Sequence, residues 1–440
     1  MRMILRWAPL ALGLLVPWLV PPVAHAAGGG ATLEQTRDAV LVLVLLAGAY
    51  LLAHLVVDRL QRRMLLVSGA EYVLVGALVA FTAGGRATNM AEFDAILPVI
   101  ALAAGWFGLL RGMDLGVDEF RNAPKGAVQL AILDDALPAA VISVAAYYGI
   151  RWGLPQVPHD RAMVLAGLLG AGSISGSSRP IDVLKKRYQI EGKIVPLLRR
   201  AARLGDAGAI LLLGFVIVMG RPPSEGTGQF VDLPQWTWFL VSIGVGAVLG
   251  VLFTQFMGKD ETENGRFLAL VGIITFASGA AYLLHVGALT VNLVLGAVLV
   301  NLAREGHHIR STLERTERPM SLILYVCAGA LWTPPADWGV TALGFAAYVV
   351  LRSAAKAVAT WVGGLGGVQR KDLFRGLLGQ GDVAIATAVT FRLLDRSTDG
   401  LANVVYTILV ASVIFHDLVA PRALRGLLVD AGQLRREQGA

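Results

Sequence analysis

The chain has 440 residues, 55% of them hydrophobic and 16% charged, and its mean hydropathy is +0.64. A soluble domain carries nearer a quarter charged residues, so a sizeable soluble domain is excluded. The formal charge of +7 lies mostly between apolar runs, which argues against a nucleic-acid partner, and a single cysteine, Cys327, excludes internal disulfides and cysteine-based metal sites.

The first residues, MRMILRWAPLALGLLVPWLVPPVAHAAGGG, place Arg2 and Arg6 before an apolar core, prolines and the small-x-small triplet Ala24-His25-Ala26. That order predicts a signal peptide over 1–26, leaving a membrane domain over 27–440. Apolar runs of spanning length then recur, predicting an all-α polytopic protein with about thirteen transmembrane helices. The expected helices cover 39–57, 64–84, 95–112, 126–150, 161–182, 197–220, 236–257, 267–284, 288–304, 319–333, 338–363, 374–393 and 402–420. Most of the 38 Lys and Arg fall in alternate loops, such as KKRYQIEGK and REGHHIRSTLERTER. The positive-inside rule makes those loops cytoplasmic in a bacterial inner membrane, with the mature N-terminus outside and a short cytoplasmic tail over 421–440.

The two halves echo one another. A long helix and then a glycine- and serine-interrupted one, LLGAGSISGSSRPIDVLKK, precede the helix holding Asp206. In the second half VTALGFAAYVVLRSAAKAVATWVGG is followed by the glycine-interrupted LFRGLLGQGDVAIATAV and a final helix. The pattern predicts inverted repeats over about 64–220 and 288–420, joined by a linking helix at 236–257. Interrupted segments at matching positions of two halves point to a transporter's binding site.

Charges inside apolar runs need a partner, a wet cavity or a function. Asp206 lies in RRAARLGDAGAILLLG with some fourteen apolar residues after it. Lys356, in LRSAAKAVATWVGG, is the basic residue expected to meet it, and Arg352 shares its helix face. The first break, GSISGSSRP, offers Ser173, Ser175, Ser177 and Ser178 as hard oxygen ligands, with Gly176 and Pro180 marking the unwound stretch; Gly379, Gly381 and Asp382 mark the second. Asp134 and Asp135 are expected to line a polar face rather than bind ions, and Arg179 to pair locally with Asp182. Glu71, His54, His285 and His416 read as structural groups, without metal-like spacing.

These residues carry a resemblance. In order along the chain, LLRGMDLGVDEFR, SSRPIDVLKK, RLGDAGAI, LRSAAKAVA and LLGQGDVAIATAV resemble the motifs of the bacterial monovalent cation:proton antiporters, the sodium/proton and potassium/proton exchangers. The resemblance implies a core of two crossed broken helices moving against a dimerisation domain, hence a homodimer in the bilayer. It implies Asp206, Ser177 and Ser178 as ion-binding residues, Lys356 and Arg352 as charge-compensating ones, and no cofactor beyond transported Na⁺ or K⁺ and H⁺. Gly205 stands where the family usually has Asn or Asp, and Arg179 lies in the unwound segment. Gly205 favours electroneutral exchange and Lys356 argues the other way.

The expected mechanism is competition: Asp206 holds a proton or a cation, never both, and changes sides when loaded. The alternative is a non-transporting sensor or scaffold on the antiporter fold, with Arg179 filling the cation site. A remote alternative is an intramembrane aspartyl protease, because Gly379-Gln380-Gly381-Asp382 fits a GxGD pattern with Asp206 as partner acid.

Overall fold

A break in each of two helices, and the way those breaks cross, organises the molecule. The computed structural model describes residues 69–82, 90–190, 192–220, 234–257, 262–303, 306–364, 370–395 and 400–434, and all regular structure among them is helical. The expected signal peptide and the helix at 39–57 lie outside the described residues.

The elements run α1 (Ala70–Thr82), α2 (Met90–Met113), the short α3 (Val117–Arg121), α4 (Ala127–Gly153), α5 (His159–Ile174), α6 (Arg179–Tyr188) and α7 (Ile194–Met219). They continue with α8 (Gln235–Met257), α9 (Glu263–Leu283), α10 (Ala288–Leu302), α11 (Gly306–Ala330) and α12 (Trp338–Gly363). A 3₁₀ turn (Leu373–Gly376), α13 (Gly381–Leu394) and α14 (Gly400–Asp430) complete the fold. Six of these helices are long and apolar enough to cross a membrane, and the stretches Leu97–Met113 and Ala288–Leu302 are shorter apolar helices.

Two expected helices prove to be interrupted. The run at 161–182 is α5 and α6 separated by residues outside any helix, and the run at 374–393 is the 3₁₀ turn and α13 separated in the same way. Two others are longer than their hydropathy suggested. α11 begins at Gly306 rather than near 319, because Arg310 and Glu314 pair at 3.1 Å across one turn and the polar start docks its buried Ile309 and Leu313 inward. α14 continues through Pro421 to Asp430, so part of the expected tail is helix, held by buried Leu424, Leu427 and Leu428.

Helix α13 is buried along nearly its whole length, packed by α5, α7, α11 and α14. By contrast α8 and α9 expose Trp236, Leu240, Val248, Leu268 and Phe276, a surface suited to lipid rather than water. Helices α2 and α10 touch backbone to backbone. A methyl at Gly112 would stand 2.1 Å from the Leu293 carbonyl oxygen, and one at Gly296 would stand 2.3 Å from that of Leu109. Small residues at such crossings let helices approach in a solvent that gives no hydrophobic drive for pairing. The same contact fixes Arg111, one residue before Gly112.

Replacing Gly296 by Val would push α2 and α10 apart. Overpacking of this kind costs about 1–3 kcal/mol, and the expected outcome is a lower unfolding temperature in detergent, with larger loss for the pair Gly112→Val and Gly296→Val.

Candidate functional site

Where an unwound chain lies inside a bundle, its backbone polar groups need partners other than water. The two breaks supply some of these to each other: the Ser177 amide donates to the Gly379 carbonyl at 3.0 Å. Gly176 and Gly379 lie in the breaks, whereas Pro180 sits in the first turn of α6, and Gly381 and Asp382 open α13. Gly381 is required at its position. Its φ is +68°, and a methyl there would meet Ser177 Cβ at 2.9 Å.

The α5 end of the first break leaves carbonyls pointing into the crossing. Arg352, wholly buried on α12, collects them: Nε donates to Ser173 O at 3.0 Å, Nη2 to Ser175 O at 3.0 Å and Nη1 to Leu378 O, from the other break, at 2.7 Å. A planar guanidinium suits this fork of acceptors where an ammonium would not. It also places positive charge at the negative end of α5. The opposite task falls to Asp417 of α14, whose Oδ1 accepts the amides of Gln380 at 3.1 Å and Gly381 at 3.2 Å at the start of α13. The Gln380 side chain ties the crossing further, donating to Gly172 O at 2.8 Å and accepting from Ser412 at 2.9 Å.

Asp206 is buried where α7 passes this crossing. Its Oδ1 accepts from Ser175 Oγ at 2.8 Å, and the same hydroxyl lies 2.7 Å from the Gln380 carbonyl. Its Oδ2 stands 2.9 Å from Arg111 Nε. Arg111 in turn lies 3.2 Å from Glu317 and 3.5 Å from Asp114. Asp114 gathers Arg203 at 3.1 Å and Arg310 at 2.6 Å, and Arg310 reaches Glu119 at 2.9 Å. A chain of charges therefore leads from the buried Asp206 to the half-exposed Glu119.

Two expected pairings are not made. Lys356 does not meet Asp206: its Nζ donates to Asp134 Oδ2 at 2.6 Å, both groups being buried. Asp134 is thus the partner of the buried lysine rather than part of an unpaired polar face. Arg179 does not pair with Asp182. It lies 2.7 Å from Asp382 and hydrogen-bonds Ser321, while Asp182 takes Arg199. Of the serines in the first break, Ser177 packs against Gly379 and Gly381, and the hydroxyl on Asp206 belongs to Ser175. Arg111, Asp114 and Asp417 were missed, although each is a charge within or at the end of an apolar run, the very signal that marked Asp206.

Residues 109–429 match the transmembrane sodium/hydrogen exchanger family. The chain belongs to that family. Its fold resembles the sodium proton antiporter MjNhaP1 from Methanocaldococcus jannaschii, solved at pH 8, with a TM-score of 0.63 at 13% identity over 92% of this chain and 100% of that one. An electron-microscopy map of MjNhaP1 gives 0.60 at 13% identity, covering 91% and 99%. No curated protein matches in sequence. The sodium/hydrogen exchangers are multi-pass membrane proteins and secondary transporters that act without cofactors, so the aspartyl-protease reading falls.

The Asp134–Lys356 pair is separable by experiment. Breaking a buried ion pair from one side costs about 3–5 kcal/mol. Lys356→Met is therefore expected to destabilise the exchanger strongly, and Lys356→Met with Asp134→Leu to recover much of that loss, read by thermal unfolding in detergent.

Proposed function

We propose that this exchanger moves a monovalent cation, Na⁺ or K⁺, against H⁺ across the bacterial inner membrane by alternating access, with Asp206 holding either ion in turn. The observation that carries the reading is the surroundings of Asp206: a buried carboxylate bonded by the hydroxyl of Ser175, which itself lies 2.7 Å from the Gln380 carbonyl, at the crossing of two broken helices. Hard oxygens on unwound backbone suit a small cation that has shed its water.

Arg111 Nε stands 2.9 Å from Asp206, so a fixed positive charge of the protein occupies the place of a transported cation. A proton or cation must displace it, and Glu317 and Asp114 are at hand to receive the released guanidinium. The empty site is then never a bare buried anion. Lys356 compensates Asp134 through the cycle, and Arg352 holds the crossing together. The basic loops favour a cytoplasmic C-terminus, and a homodimer through the apolar outer helices is part of this proposal.

The non-transporting sensor was expected to have Arg179 in the cation site; Arg179 instead lies on Asp382, and the guanidinium beside Asp206 that favours this second reading is that of Arg111. Flux separates the two. In everted vesicles, Na⁺ or K⁺ added to the wild type is expected to produce a pH change, and Asp206→Asn to abolish it. Silence from folded wild type between about pH 6 and 9 would favour the sensor, and a response gained in Arg111→Gln would identify the plug.

A further inference from the structure

Asp135 is left over from every pairing described so far. It follows Asp134 on α4, yet its carboxylate turns toward α7, where two glycines one turn apart make room for it. A methyl on Gly205 would stand 2.7 Å from Asp135 Oδ1, and a methyl on Gly208 would stand 2.8 Å from Oδ2. The first of those positions is also 3.7 Å from the carbonyl oxygen of Ile174, which Lys356 Nζ approaches to 3.4 Å. Asp135 therefore lies beside the residue that precedes Asp206, at the same end of α5 whose next residue, Ser175, hydrogen-bonds Asp206.

The charges around it are already committed. Lys356 is on Asp134, Arg352 is on three carbonyls, and Arg111 is on Asp206, Asp114 and Glu317. Asp417 and Asp382, the other acids of the crossing, have backbone amides and Arg179 respectively. Asp135 Oδ1 is enclosed and receives no hydrogen bond, and no cationic side chain pairs with Asp135 among the described residues. A carboxylate oxygen shut off from water without a partner is costly. One that carries a proton, or shares a bound cation, is not.

We infer that Asp135 is a second ion-binding carboxylate of the Asp206 site, supplied from α4 into the space that Gly205 leaves open. The inference rests on the exchange reading above and deepens it. With both acids protonated the site carries two protons one way; with both ionised it carries one monovalent cation back. One net positive charge then crosses per cycle, so the exchange is electrogenic. Gly205 does not remove the second acid from the site but admits it from a neighbouring helix.

The test uses the full chain in liposomes, reading the internal pH and the transmembrane current together after a jump in Na⁺, and separately in K⁺. Wild type is expected to give both signals, Asp206→Asn neither, and Asp135→Asn a slower pH change with the current lost. A current that persists in Asp135→Asn overturns the inference, as does a wild type that changes pH without current; in both cases the exchange reading stands. A wild type with neither signal overturns both. If Asp135→Asn fails to fold, Gly205→Ala displaces the carboxylate without removing it. Its ratio of current to pH change is expected to fall, and an unchanged ratio counts against the inference.

Discussion

Unwound backbone in the interior of a membrane protein must be satisfied by protein, and that constraint shapes this molecule. Two helices break side by side, and the loose carbonyls of the first lie close to the start of the second. One guanidinium, that of Arg352, answers three of those carbonyls across both breaks. One carboxylate, Asp417, answers the amides that open α13. The remaining features of the crossing, Gly381 against Ser177 and Gln380 against Gly172, follow from bringing the two breaks this close. Remove Arg352 and three buried carbonyls lose their donors, so the geometry of the crossing depends on this one side chain.

With the crossing satisfied, Asp206 is free to have a labile partner. Its contacts divide into two kinds. The Ser175 hydroxyl, which also lies 2.7 Å from the Gln380 carbonyl, belongs to the break itself and stays when the break stays. Arg111 comes from α2, packed against α10 through Gly112 and Gly296, and it has other acids to turn to. A bound cation would keep the first set and displace the second. The string of ion pairs beyond Arg111, through Asp114 to Arg203 and Arg310, joins Asp206 to contacts among α2, α7 and α11. Movement of one group of helices against another is where such a linkage would act.

The sequence made the parts legible and the pairings much less so. The breaks could be read from GSISGSSRP and GQGD because glycine, serine and proline weaken a helix locally. Asp206, Lys356 and Arg352 could be read because each is a charge in an apolar run. Which acid meets which base was not readable, since Lys356 lies equally well placed by hydropathy for Asp206 or Asp134, and only the packing of α12 on α4 decides it. Ser175 was indistinguishable from three nearby serines until the angle of the break was known. The polar start of α11 was hidden for a different reason: hydropathy finds lipid-facing helices, and this segment faces charges at the end of the bundle.

In the proposed exchange a proton and a cation compete for one carboxylate. Purified protein in weakly buffered detergent solution tests it without a membrane, by following the pH while Na⁺ or K⁺ is added. The account predicts that the cation expels protons from wild type and none from Asp206→Asn. If folded wild type binds the cation and releases no proton at any pH between about 6 and 9, the competition does not take place and the account is wrong.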